Sequence, residues 1–348
     1  MSVDYSPLFV PVSRDEIAQF KRDSRANGQP WALGTTVATA ATIAVGVVMA
    51  VVALGVLAFI IPVAVGFFGT GGASSGVFLL APVILLALAG FFAYRFIAHA
   101  GGRWESLLRR TRFAAANRLE YSTGRSNPDY PGLVFGLGQN RQTSDNYQST
   151  GPQFELGNYR YTTGSGDDKK SYNWGYLALR LERKLPHMVL DARGNNGLLG
   201  ASTLPTSFRR DQKLSLEGDF DRYFTLYCPR EYERDALYVF TPDLMALLID
   251  ESAAFDVEIV DDWMFVYSVL PLELDQPTSV QRMFRIIETV GAKTLRQTDR
   301  YADERIGDST IDLVAPRGQR LKTGTTFAGI GIVLVFAWVA FSFARAWL

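Results

Sequence analysis

The sequence predicts an α+β membrane protein: three transmembrane helices and one cytoplasmic domain built on a largely antiparallel sheet with flanking helices. Three observations predict it. Long apolar runs occupy 31–98 and 326–347 of the 348 residues. Between them the hydrophobic period falls to two over several short stretches, as in strands with one wet face. Short-linked strand pairs that should form hairpins, mixed with segments carrying helix start signals, read as one α+β domain on a largely antiparallel sheet.

Trp31 to Phe68 carries no charge. A hydrocarbon core of ~30 Å needs about 20 helical residues, so this run suffices for one tilted helix. Pro62 is expected to kink or end it, giving a first span over 31–62. A signal peptide has a shorter apolar core behind a basic leader, whereas here four acids and four bases precede a longer run. Gly69 to Gly76 is a small uncharged loop, 77–98 is a second span and 326–347 a third.

Basic residues near the span ends set orientation. Arg14, Lys21, Arg22 and Arg25 precede the first span, and Arg103, Arg109, Arg110, Arg112 and Arg118 follow the second. Arg317, Arg320 and Lys322 precede the third, against Arg345 alone on the other side. The sequence therefore predicts a multi-pass cell-membrane protein with its amino terminus and main domain in the cytoplasm and its carboxyl terminus outside. The lipid bilayer is one expected partner. Ala38, Thr42, Gly46 and Ala50 recur every fourth residue, a small-residue ridge that allows close helix contact. A protein partner or self-association through the transmembrane helices is expected. No ionisable residue lies deep in a span, which argues against a transporter acting alone.

In the amino-terminal segment 1–30, Ser13 and Glu16 form a capping box and Asn27-Gly28 a stop, so a short surface helix is expected. A basic helix should occupy much of 99–130, with Trp104, Leu107, Leu108, Ala115 and Leu119 on one side. The domain over 131–322 follows. Its expected strands are Phe154 to Thr163, the run NWGYLALRLER with Leu177, Leu179 and Leu181 on one face, and HMVLDA. The last two should pair as a hairpin across Lys184-Leu185-Pro186. Phe220 to Cys228 is a further strand, and Asp256 to Val260 should pair with Trp263 to Val269 across an Asp261-Asp262 turn, since aspartate tolerates the left-handed conformation. Two helices are expected. One is capped by Thr241 with Pro242 at its first position, the other by Thr278 and Gln281.

Lysine plus arginine and aspartate plus glutamate number 35 each. Nucleic-acid binding draws on a basic footprint, so no nucleic-acid partner is expected. The lone cysteine, Cys228, excludes an intrachain disulfide and any CxxC motif, and is expected as a small buried hydrophobe. The stretch Pro186 to Asn196, PHMVLDARGNN, gathers His187, Asp191 and Arg193, the residue types of a general base, a carboxylate and an anion clamp. Hairpin plus turn is the reading the stretch favours, since no nucleophile is identifiable beside His187, which is expected to be dispensable for folding. The acids from Glu251 to Asp275, Asp256 and Glu258 among them, are accounted for mainly as wet-face residues without Ca²⁺-loop spacing. Tyr159, Tyr161, Tyr172, Trp174 and Tyr176 form an aromatic cluster that fits sheet packing. No phosphate loop, nucleophile elbow or zinc-helix motif occurs. No catalytic, cofactor-binding or metal residues, and no cofactor, are therefore expected.

From Leu216 to Pro271 the chain resembles the shared segment of a family of uncharacterised bacterial integral membrane proteins defined by a domain of unknown function. The residues carrying it are Phe220 to Phe224, Thr241-Pro242, Leu244 to Ile249, and Val257 to Tyr267. Upstream, FAAANRLEYS is similar to that family's post-membrane helix. The resemblance implies a two-helix membrane hairpin and a cytoplasmic α+β domain, and carries no catalytic residues. The function expected is a non-enzymatic, membrane-anchored interaction or regulatory protein acting through its cytoplasmic domain. The alternatives are a membrane-associated enzyme with a site near His187, Asp191 and Arg193, and an accessory subunit of a transporter.

Overall fold

The computed structural model describes residues 2–29, 31, 55, 102–150, 154–197, 202–216, 218–308 and 310–324. The chain divides into two compact units, Ser6–Phe113 and a larger one of Met1–Tyr5 with Ala114–Leu348.

In the smaller unit, Arg14–Ala26 is a helix with the full Ser13–Glu16 capping box, and Gly28 takes φ +60° after it. Glu16 also pairs with Arg112 at 2.6 Å, and Phe20 packs edge-on against Trp104. The Ser13 amide, then Arg112, hold the Glu16 carboxyl down at about 2.

Among the described residues no helix is long and apolar enough to cross a membrane. This corrects the predicted fold class with three transmembrane helices, and with it the membrane vocabulary and the multi-pass cell-membrane localisation. The physical reason lies in length and charge. At 1.5 Å per residue the 13-residue helix Arg14–Ala26 reaches ~20 Å, short of a ~30 Å hydrocarbon core, and it carries charge throughout. The expected spans 31–62, 77–98 and 326–347, and the loop between the first two, lie outside the described residues apart from Trp31 and Gly55.

Among the described residues the larger unit is built on seven strands, all antiparallel: β1 (Leu119–Ser122), β2 (Gln139–Ser149), β3 (Phe154–Thr163), β4 (Lys170–Ala192), β5 (Lys213–Leu214), β6 (Phe224–Tyr227) and β7 (Asp256–Ser268). Their order is β1-β2-β3-β4-β6-β5, with β7 also paired to β4. The first half of β4 therefore lies between β3 and β7, and its last residues between β6 and β7.

Two expected hairpins are absent, and they fail at the same place. β4 runs straight through Lys184-Leu185-Pro186, and β7 runs straight through Asp261-Asp262. Leu185 pairs with Asp261, and the register shifts on both sides of that pair. Proline lacks the N–H that a regular ladder position needs, so a bulge is where a strand accepts it. Asp261 does adopt φ 52°, but as the bulge residue. Arg320 grips its carboxylate at 2.8 and 2.9 Å, and Arg180 pairs with Asp262.

Three further expectations are corrected. Phe220–Tyr223 is a helical turn that delivers Phe224 into β6 instead of an extension of that strand. Thr241 precedes the helix Pro242–Ser252, but its hydroxyl caps nothing and is buried without a partner; its carbonyl accepts the Met245 amide at 2.9 Å. The helix Pro277–Ile286 starts after Gln276, with no capping box from Thr278, and widens into a π turn over Ile287–Gly291 before Ala292–Thr298. At Gly291 a side chain would meet Leu179 of β4 at 2.9 Å, so the helix lies close against the sheet there.

The core is aromatic. Phe135, Tyr159, Tyr161, Trp174, Tyr176, Phe265 and Tyr267 form one buried cluster. Only Tyr172 of the predicted aromatic set is exposed, stacked on Tyr161 at 5.0 Å.

Candidate functional site

His187 lies where β4 passes the bulge, 3% exposed. Its Nδ1 accepts the Leu321 amide at 3.0 Å, and a backbone N–H can only donate. Nδ1 therefore carries no proton, and the ring is the neutral tautomer with its hydrogen on Nε2, which donates to Glu258 Oε1 at 2.9 Å. The Glu258 carboxylate also accepts the Leu133 amide at 2.8 Å and the Tyr267 hydroxyl at 2.6 Å. Gly132 is required here, because a side chain on it would collide with the Tyr267 hydroxyl. Burial, then the Glu258 charge, pushes the Tyr267 phenol well above its ordinary range. Phe208 stands edge-on to the imidazole.

Glu155 repeats the pattern on β3. It is 2% exposed and accepts from Asn146 at 2.9 Å, from Tyr130 at 2.6 Å, from Arg125 at 3.4 Å and from Tyr176. Both glutamates are buried carboxylates surrounded by donors, the condition under which such a charge is tolerated.

Of the three residues singled out in the sequence, the structure does not make one site. His187 bonds to Glu258, Asp191 is buried with Oδ1 unpartnered, and Arg193 is exposed. Leu190 pairs with Val257, which puts Asp191 and Asp256 at the next register position, carboxylate opposite carboxylate. Asp256 accepts from the Ala192 amide at 2.8 Å, from Asn195 at 2.9 Å and from Thr203 at 3.4 Å. Burial nevertheless pushes its carboxyl up to about 7, with the Asp191 charge adding to the rise. Burial raises Asp191 as well, against Ser202 and Arg193. Cys228 is buried, and burial, followed by Glu233 and Asp235, pushes its thiol up to about 12, so it is a poor nucleophile. The expected reading of Glu258 and Asp256 as wet-face acids is wrong: both are fully covered.

A different place is open. The helix Glu233–Val239 and the segment 300–305 enclose a cleft of ≈ 380 Å³, lined by Arg234, Asp235, Tyr238, Arg300, Tyr301 and Arg305. Arg305 is committed. It pairs with Asp235 at 3.1 Å and Asp303 at 3.0 Å, bonds the Glu231 carbonyl and lies 3.8 Å over the Tyr232 ring. Asp303 is buried, which pushes its carboxyl up, but the Ala315 amide, Tyr232 and Arg305 outweigh burial and hold it below the usual range. Asp235 also accepts the Tyr301 hydroxyl at 2.7 Å. Among the described residues neither Arg234 nor Arg300 has a carboxylate within ion-pair reach. Tyr238 is 41% and Leu237 52% exposed beside them. Nothing in the sequence's motifs marked these residues; the absence of a local carboxylate partner is visible only once the chain is folded.

No family model matches the chain, and no curated protein matches it. Among solved structures it is similar to the crystal structure of the mycobacterial trehalose monomycolate transport factor A, TtfA, at 12% identity. The likeness covers 55% of this chain and 90% of that one with a TM-score of 0.33, a level that carries no argument about this chain.

Proposed function

We propose that this chain is a non-enzymatic interaction or regulatory protein whose contact surface is the cleft between Arg234 and Arg305. The observation that carries it is the pair of guanidinium groups, Arg234 and Arg300, lining a cleft beside exposed Tyr238 with no carboxylate partner among the described residues. Charged groups left unpaired next to an exposed aromatic ring are the ingredients of a recognition surface, where arginine and tyrosine supply most of the binding energy. The enzyme alternative draws little support from His187, whose two ring nitrogens are both bonded inside the fold.

The test is a photoreactive phenylalanine analogue in place of Tyr238, with Tyr172 as the control position, in the full-length chain. A crosslink specific to position 238 should disappear in Arg234→Ala/Arg300→Ala and persist in His187→Gln. Equal crosslinking at 172, or crosslinks indifferent to the two arginines, would reject the cleft as the working surface.

A further inference from the structure

We infer that the carboxylates of Asp191 and Asp256, at the end of β4, hold a divalent cation of the calcium class. The site is separate from the cleft and does not depend on it. Its basis is a carboxylate oxygen that the fold leaves over. Asp191 is 6% exposed, and its Oδ1 is buried with no hydrogen-bond partner. An ionised oxygen in a protein interior carries a large penalty unless something compensates it. Asp256 lies opposite on β7, one position beyond the Leu190–Val257 pair. Directly opposed side chains share a face, with Cβ atoms about 4.5–5.5 Å apart, so one ion can touch both carboxylates. Asp256 reaches far enough across to accept the Ala192 amide at 2.8 Å, and the charge of Asp191 acts on it.

The local charge is negative. Asp191, Asp256 and Glu258 share this face of the two strands, and His187 beside Glu258 is neutral. Among the described residues Arg193 is the cation whose charge reaches Asp191, and it is exposed without an ion pair to it. Arg320 is spent on Asp261. The surrounding donors are oxygen-bearing. Asp256 Oδ2 lies 2.9 Å from the Asn195 amide nitrogen and 3.4 Å from the Thr203 hydroxyl, which is 3.2 Å from Asn195 Oδ1. Ser202 bonds Asp191, and the turn ends on Asn196, whose Oδ1 is also buried without a partner. Hydroxyls rotate and an amide carries its acceptor beside its donor, so these groups can offer oxygen to a cation. Among the described residues no three side chains of histidine, cysteine, aspartate and glutamate converge on one point, which disfavours zinc. Two carboxylates with neutral oxygens suit Ca²⁺, which tolerates irregular oxygen shells, better than Mg²⁺, which demands a regular octahedron and sheds water reluctantly.

The full-length protein, stripped with a chelator, is titrated calorimetrically with CaCl₂ and MgCl₂, and its thermal unfolding is followed with each salt. Ca²⁺ should bind saturably at a single site and raise the unfolding midpoint, with Mg²⁺ at least about tenfold weaker. Asp191→Asn and Asp256→Asn should each weaken Ca²⁺ at least about tenfold, and Thr203→Ala about threefold. Arg193→Gln should tighten it about twofold by removing a like charge. Exposed Asp243→Asn should leave the affinity unchanged. Should either aspartate variant fail to fold, Thr203→Ala and Arg193→Gln keep both carboxylates and carry the comparison. No saturable binding at millimolar Ca²⁺ would leave a shared proton to balance the pair and overturn the proposal. Affinity unmoved by the folded variants, or Mg²⁺ binding as tight as Ca²⁺, would overturn it equally.

Discussion

Glu258 and Arg300 illustrate two ways of handling charge in one domain. Glu258 is 1% exposed and accepts from an imidazole, a phenol and a backbone amide. Arg300 lines an open cleft and makes no ion pair among the described residues. A buried charge has to be fully bonded or the fold loses several kcal/mol, whereas water solvates a surface charge until a ligand displaces it. Residue types that resemble catalytic machinery can therefore be scaffold, and plain surface arginines can be the working groups.

Substitution separates the two most sharply. Glu258→Ala leaves His187 Nε2, the Tyr267 hydroxyl and the Leu133 amide without an acceptor, and should cost about 4 kcal/mol in denaturant unfolding. Arg300→Ala removes no internal bond and should stay within about 0.5 kcal/mol of wild type. His187→Gln loses one of two buried bonds and should cost about 2 kcal/mol, an outcome opposite to the dispensable role expected from the sequence. A Glu258→Ala protein as stable as Arg300→Ala would erase the contrast.

Asp256 sharpens it through pH. Its folded carboxyl titrates near about 7, above the ordinary value of 3.8, so between those points the folded state holds a proton that the unfolded state has released. Stability from this group is thus present at low pH and is lost as pH rises from about 4 through 7. Asp256→Asn should flatten that part of the stability–pH profile, measured by thermal unfolding. An unchanged slope in Asp256→Asn would assign the titration elsewhere.

The smallest effect is at Thr241. Its buried hydroxyl has no partner, so Thr241→Val should change stability by less than about 0.5 kcal/mol or raise it. A loss of ~1 kcal/mol would restore the capping role that its position before Pro242 implies.

How much of this was legible in the sequence depended on range. Local signals read well: the Ser13–Glu16 box, the strand Phe154–Thr163 and the helix after Thr241 all appear where their residues predict. Punctuation misled where a long-range ladder overrode it. Pro186 and Asp261 look like turn residues, yet both lie inside the β4–β7 ladder, where Leu185 pairs with Asp261 between two register shifts. β2, with the sequence QNRQTSDNYQS, has no apolar alternation to announce it, because few of its side chains are buried. The site failed for a related reason. His187 stood out in the sequence, but Glu258 lies 71 residues away and looked like any strand acid. The cleft joins Arg234 on the helix Glu233–Val239 to Arg300 in the segment 300–305, and no local pattern links them.

The central claim is that the histidine cluster is closed scaffold, and the chain's having just two histidines makes it directly measurable. The full-length protein is labelled with ¹⁵N-histidine, with His99→Gln assigning the remaining signal to His187. The account predicts a neutral ring protonated on Nε2, with that proton exchanging slowly with solvent in the folded protein. A proton on Nδ1, or rapid exchange of the Nε2 proton with solvent in the folded protein, would contradict it and make the imidazole an accessible base.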